Sequence, residues 1–296
     1  MAQKIILVTG GAGFIGSNLV EQLVKDKNNR VISLDNYFTG TKDNHISGAE
    51  YKKGHTKDIQ KHIKIRPDII YHLGEYSRVA ASLEEPSLVW DLNIAGTLGV
   101  LEFWRAHKCK LVYAGSSTKF SQGRENDIAG KDLAPYTWAK AANTELIKNY
   151  SRWYGLDYST VYFYNVYGPR ERAGQSDRAY GTVIETFKQA YLSKKPYEVR
   201  EPGTQTRAFT HVVDTVSGLI LAGEKGERAE YGICAAEVYS LLDVAQMFGG
   251  EVKMLPATKS SRSSGAIDSV AIKALGWSQK NTLADYIAAI KKSGNK

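Results

Sequence analysis

Ile5-Ile6-Leu7-Val8-Thr9-Gly10-Gly11-Ala12-Gly13-Phe14-Ile15-Gly16 is an apolar strand running without a break into a glycine-rich turn. Leu19, Val20, Leu23 and Val24 carry it on as the apolar stripe of a helix. Strand, turn and helix in this order predict the first βα unit of a dinucleotide cradle. Gly10 suits a tight turn, Gly13 lets backbone approach a pyrophosphate, and Gly16 lets helix and strand pack closely. The helix start, at Phe14 and Ile15, offers unpaired N–H groups to phosphate oxygens. Three glycines in seven residues also occur at purely structural corners, so the next strand matters. Val31-Ile32-Ser33-Leu34 ends in Asp35, at the distance where this fold sets an acid against the adenine ribose. A carboxylate there accepts from both ribose hydroxyls and repels a 2′-phosphate, which selects NAD over NADP.

Working outward, Asp68–Leu73 and Lys110–Ala114 read as short apolar strands, with helix-spaced apolar residues from Ser87 to Ala106 between them. Thr137–Tyr154 reads as a long helix and Tyr158–Phe163 as a strand. This alternation predicts an α/β fold, a Rossmann-type doubly wound parallel sheet, over residues 1–165. Past Gly168-Pro169-Arg170 the elements are shorter. They comprise helices at Thr182–Leu192, Val212–Glu224, Ser240–Phe248 and Leu283–Lys291, and strands near Tyr197–Arg200 and Tyr231–Cys234. Residues 166–296 are expected to form a smaller α/β substrate domain, with a segment at about 205–225 returning to the first sheet.

The 296 residues are 43% hydrophobic, enough for one large core or two joined ones. No stretch has the apolar length of a membrane span, and the N-terminus reads as a strand rather than a signal peptide, so a cytoplasmic protein is expected. The net charge of +8 is spread along the chain without a dense basic run, which argues against nucleic acid. Cys109 and Cys234 have neither metal-type nor redox spacing and read as buried free thiols; no metal is expected.

Tyr136-Thr137-Trp138-Ala139-Lys140 places a tyrosine and a lysine on one face at the start of a helix. That spacing is common. Its position is informative, one element after the strand ending in Ala114-Gly115-Ser116-Ser117-Thr118, because such sheets keep their chemistry at the carboxyl ends of strands.

Taken together the chain resembles the extended short-chain dehydrogenase/reductase family, the nucleotide-sugar epimerases and dehydratases. The likeness spans nearly its whole length. It rests on the Thr9–Gly16 turn, Asp35-Asn36, His72-Leu73 leading to Ser82, and Asn93 with Gly96-Thr97. Ser116, Tyr136, Lys140, Tyr164-Asn165-Val166-Tyr167-Gly168-Pro169-Arg170 and Arg207–Asp214 follow, then a tail from Arg262 through Asp268 to Leu275-Gly276-Trp277. The resemblance implies Tyr136 as a general base acting as phenolate, Lys140 as the cation that favours the phenolate and bonds the nicotinamide ribose, and Ser116 as a partner of the reacting sugar hydroxyl. It also implies Leu73, Asp58, Ile59 and Asn93 around the cofactor, and Ser117, Thr118, Asn165, Arg207 and Arg262 around the substrate. The two arginines read equally as surface charges.

Family dehydratases carry an Asp-Glu pair after the serine or threonine, where this chain has Ser117 and Thr118. What remains is the simplest chemistry, epimerisation of a nucleotide-diphosphate sugar at C4 through a transient 4-keto sugar, with UDP as the commonest nucleotide. A dehydrogenase or 4-ketoreductase on the same substrates is the second reading, and a non-catalytic NAD- or RNA-binding relative the third. Helices ending near Ala106 and Tyr154 resemble those that pair subunits of relatives, implying a homodimer, although the same residues also read as core. Gly74-Glu75-Tyr76 stands where small apolar residues are common, so Glu75 is expected to touch cofactor or sugar in an unusual way.

Overall fold

Along strand β1 (Lys4–Thr9), Ile6 and Val8 enter one apolar cluster and Leu7 another, and all three are buried. This is the period of two expected of a strand covered on both faces. The computed structural model describes residues 3–120, 130–172, 182–257 and 268–294. After β1 come helix α1 (Phe14–Leu23), β2 (Asn29–Asp35), β3 (Ala49–Lys53), α2 (Ile59–His62), β4 (Ile69–His72) and α3 (Pro86–Val89). A π-helical turn at Trp90–Ala95 leads into α4 (Gly96–His107), followed by β5 (Lys110–Ala114), α5 (Pro135–Tyr154) and β6 (Asp157–Phe163). The remainder is β7 (Val166–Tyr167), α6 (Val183–Leu192), β8 (Tyr197–Arg200), β9 (Thr206–Ala208), β10 (Thr210–His211), α7 (Val212–Lys225) and β11 (Ala229–Ile233). Then come β12 (Val238–Ser240), α8 (Leu241–Phe248), β13 (Val252–Leu255), α9 (Val270–Ala274) and α10 (Leu283–Gly294).

Seven strands form one sheet in the order β11-β6-β5-β4-β1-β2-β3, every pair parallel. The doubly wound Rossmann-type sheet expected from the sequence is therefore present. Val100, Leu101, Phe103 and Trp104 of α4 and Ile147 and Tyr150 of α5 cover one face. On the other, Leu19, Val20 and Leu23 of α1 meet Val212, Val216, Leu219 and Ala222 of α7. A third cluster, with Phe187, Tyr197, Val199, Phe209, Phe248 and Ile287 among its members, lies in the later part of the chain.

The return to the sheet runs further than the 205–225 segment. Within that segment β9 pairs with β12 and β10 with β7, whereas α7 packs on the sheet and β11, at Ala229–Ile233, adds the outer strand beside β6. Both cysteines are buried free thiols. Among the described residues no helix is long and apolar enough to cross a membrane. Leu219 is fully buried where α7 meets α1 and the sheet. Leu219→Ala should destabilise the protein by about 2–5 kcal/mol, read as a lower urea midpoint by circular dichroism.

Candidate active site

The turn after β1 closes backbone against backbone. Gly10 has φ +74°, and a Cβ on it would stand 2.9 Å from the Gly74 Cα; a Cβ on Gly16 would stand 2.0 Å from the Gly10 carbonyl oxygen. Gly13 caps α1 with no side-chain hydrogen bond, so the first N–H groups of the helix, with no partner inside it, remain for a ligand. They meet a cavity of about 530 Å³ along the carboxyl ends of the sheet, where the strand order reverses between β1 and β4. Asp35 ends β2 on the same wall. Its carboxylate accepts from the N–H groups of Ala12 (2.9 Å) and Tyr37 (2.7 Å). Burial raises its pKa above the ordinary carboxylate value, and these two bonds offset part of the rise. An anion-seeking helix end, glycines that leave no room for a Cβ, and a carboxylate for a ribose fit a dinucleotide.

At the other end of the cavity, Pro135 at the first turn of α5 fixes the helix start, and the Ala134 N–H donates to the Thr137 hydroxyl (3.0 Å). Tyr136 and Lys140 then share a face. The Tyr136 hydroxyl donates to Ser116 Oγ (3.3 Å), which lies 2.9 Å from Thr118 Oγ1. The Tyr136 N–H donates to Ser82 Oγ (3.3 Å), which donates to the Val79 carbonyl (2.6 Å) and so ties the helix start to the loop after β4. The Lys140 ammonium donates to the Ala114 carbonyl and to the carboxylate of Glu75. Glu75 lines the cavity, yet its carboxylate turns inward to this ammonium.

Most residues singled out from the sequence share this one cavity. Gly10, Gly13, Phe14, Ile15, Gly16, Asp35, Asn36 and Leu73 line its cofactor end. Ser116, Ser117, Tyr136, Lys140 and Asn165 line the other. Five others are not on the wall. Asp58 faces Lys61 (2.7 Å) on the surface, and Ile59 is wholly buried in the core beneath β2 and β4. Asn93 is buried behind the loop after β4, accepting from the Tyr76 N–H (2.6 Å) and donating to the Tyr76 carbonyl (3.0 Å). These two bonds hold that loop, and Asn93 is not among the residues that line the cavity. Thr118 is buried behind Ser116, and Arg207 on β9 donates to the Thr206 carbonyl (3.1 Å). Arg262 lies outside the described residues.

The wall also holds residues the sequence reading passed over. Arg78 follows Glu75, and Glu171 and Arg172 follow Pro169-Arg170. Burial pushes the Glu171 carboxyl up to about 7, although it accepts from the Thr182 N–H (2.6 Å). Arg172 donates to the Thr39 carbonyl (3.1 Å), joining this loop to the one after β2. The signal in the sequence was charge beside a Gly-Pro turn, and it did not say which way the side chains face.

Residues 6–234 match the model of the NAD dependent epimerase/dehydratase family. The chain belongs to that family. A Methanocaldococcus jannaschii protein, provisionally named a UDP-glucose 4-epimerase, is 33% identical over 227 residues, 74% of this chain and 73% of its own. UDP-glucuronic acid decarboxylase 6 of Arabidopsis thaliana is 29% identical over an alignment of 306 positions, gaps included, that covers 95% of this chain and 85% of that one. The crystal structure of the Thermotoga maritima UDP-glucose 4-epimerase with UDP-glucose superposes with a TM-score of 0.86 at 25% identity, covering 99% of this chain and 100% of that one. NAD is the cofactor of the family. Asp35→Asn should weaken NAD binding about ten- to a hundredfold, the worth of hydrogen bonds to a charged acceptor, as measured by calorimetric titration of cofactor-stripped protein.

Proposed function

We propose that this epimerase/dehydratase family member inverts C4 of a nucleotide-diphosphate sugar, with uridine as the base. The observation that carries the reading is the meeting of Tyr136, Ser116 and Lys140 at one end of the dinucleotide cavity, with Ser117 and Thr118 where a dehydratase keeps its acid pair. Bound NAD supplies an acceptor and donor of hydride at the sugar carbon. The residues of the chain handle the proton. Tyr136, as phenolate, takes it from the C4 hydroxyl while Ser116 holds that oxygen in place, and Lys140 provides the positive charge that favours phenolate over phenol. After the 4-keto sugar turns over, Tyr136 returns the proton to the new alcohol. Residues 166–296 hold the sugar nucleotide, and Asn165, Glu171 and Arg172 face it from the cavity wall.

The same reading makes the enzyme a cytoplasmic homodimer joined through α4 and α5. Its support is a row of large apolar side chains on and beside these helices: Leu98, Trp138, Trp153 and Tyr154 are at least 45% exposed, and Trp90 packs edge-on against Trp138. Sedimentation should give twice the mass of one chain, and a monomer at micromolar concentration would refute this.

Incubation with UDP-glucose or UDP-galactose and no added cofactor should yield the C4 epimer by proton NMR. Turnover only with added NAD or NADH would instead identify a dehydrogenase or ketoreductase. Tyr136→Phe should cut kcat at least about a hundredfold and leave the bound NAD content unchanged; an active variant overturns the assignment of the base.

A further inference from the structure

Glu75 sits on the turn after β4 with its side chain 3% exposed, opposite a Lys140 side chain that is 6% exposed. A carboxylate so far from water persists only when its lone pairs are met. Here they are. One oxygen takes the Lys140 ammonium. The other accepts from Thr97 Oγ1 on α4 (2.7 Å), Asn143 Nδ2 on α5 (2.8 Å) and the Tyr113 hydroxyl on β5 (3.2 Å). Burial raises the Glu75 pKa, but the charge of Lys140 and the hydrogen bonds from Lys140 and Thr97 carry it below the ordinary carboxylate value, so it is charged.

The surrounding groups leave this charge to Lys140 alone. His72 on β4 is wholly buried, its pKa pushed down to about 4, and its two ring nitrogens contact Thr9 Oγ1 (2.7 Å) and Thr97 Oγ1 (2.9 Å). It is neutral. Tyr113 is held as phenol, its pKa driven well up by burial. Among the described residues, the ionisable groups at this end of the cavity are then Tyr136 and Lys140 on α5, Glu75, Tyr76 and Arg78 on the loop after β4, and Glu171 and Arg172 on the loop after β7. Of these, Glu75 alone is in contact with the Lys140 ammonium.

An ammonium has three donors. Glu75 and the Ala114 carbonyl take two of them, the ammonium stands 4.4 Å from the centre of the Tyr113 ring, and Lys140 lines the cavity. We propose that Glu75 is a positioning residue: it aims the Lys140 ammonium and neutralises part of its charge, and so sets the pH at which Tyr136 gives up its proton. The inference rests on the reading of Tyr136 as base. Lys140 alone would pull Tyr136 toward phenolate with a full positive charge; the Glu75–Lys140 pair pulls with less.

Titration of Tyr136 tests this without turnover. The phenolate absorbance near 295 nm, taken as the difference between each protein and its Tyr136→Phe counterpart, is followed against pH with and without NAD and with no sugar present. Glu75→Gln keeps the shape and removes the charge, so the titration of Tyr136 should move down by about one pH unit. Glu75→Asp keeps the charge on a shorter arm. It should leave the titration at the parent's pH but lower kcat about tenfold without raising KM, because Lys140 is no longer aimed. No movement or an upward shift in Glu75→Gln overturns the proposal, as does a shift in Glu75→Asp matching that of Glu75→Gln, or full kcat in Glu75→Asp. Where Glu75→Gln does not fold, Glu75→Asp carries the test. A protein inactive on every sugar but showing the Glu75→Gln shift would refute the epimerase reading and leave this one standing.

Discussion

The Gly10 carbonyl oxygen occupies space that any side chain at residue 16 would need. This contact fixes where α1 begins relative to the end of β1, and the rest of the site is measured from α1. Asn18 on that helix donates to the Pro169 carbonyl (3.0 Å), and Glu21 pairs with Arg170 (2.8 Å). The loop bearing Glu171 and Arg172 is thereby held in register with the glycine-rich turn. One helix thus braces both sides of the cavity, and its buried face, through Leu19, Val20 and Leu23, is locked against α7.

The turn also reaches the acid–base end. Thr9, the last residue of β1, accepts from the Gly74 N–H (3.0 Å) and meets His72 Nδ1. His72 leads through Thr97 to Glu75, and Glu75 to Lys140. Polar chains of this kind in a low-dielectric interior are stable only when complete. Here each member finds its partner, so the glycine-rich turn and α5 are joined by a continuous run of hydrogen bonds rather than by apolar packing alone. Asn93 adds a second tie, gripping both backbone groups of Tyr76 while its own carbonyl receives the Asn143 amide (2.9 Å).

Much of this was legible in the chain because the central strands bury both faces. β1, β4 and β5 are largely apolar runs, β6 is rich in aromatic and β-branched residues, and α5 declares itself by spacing and by Pro135 at its start. β3 was not legible. Ala49-Glu50-Tyr51-Lys52-Lys53 lies at the sheet edge with no residue fully buried, so no apolar alternation marks it. Strands β7, β9, β10 and β12 are two or three residues long, shorter than any period can reveal. At the site, Tyr136, Lys140 and Ser116 follow from spacing on rigid elements, whereas the placing of Asp58, Ile59 and Asn93 depends on the paths of loops. Glu75 stood out as the wrong residue for its place, but its direction is set by donors from Thr97, Tyr113, Lys140 and Asn143, which only the folded chain brings together.

The outermost strand on one side of the sheet, β11, comes from Ala229–Ile233 and lies beside β6. During synthesis, then, the part of the sheet built from residues 1–165 waits with the edge of β6 bare and the oily side of α1 uncovered until the chain has been extended past Ile233. Contacts so distant along the polymer close slowly and leave sticky surfaces exposed meanwhile. A nascent chain cut off after β6 would therefore be a client for chaperones rather than a working half-enzyme.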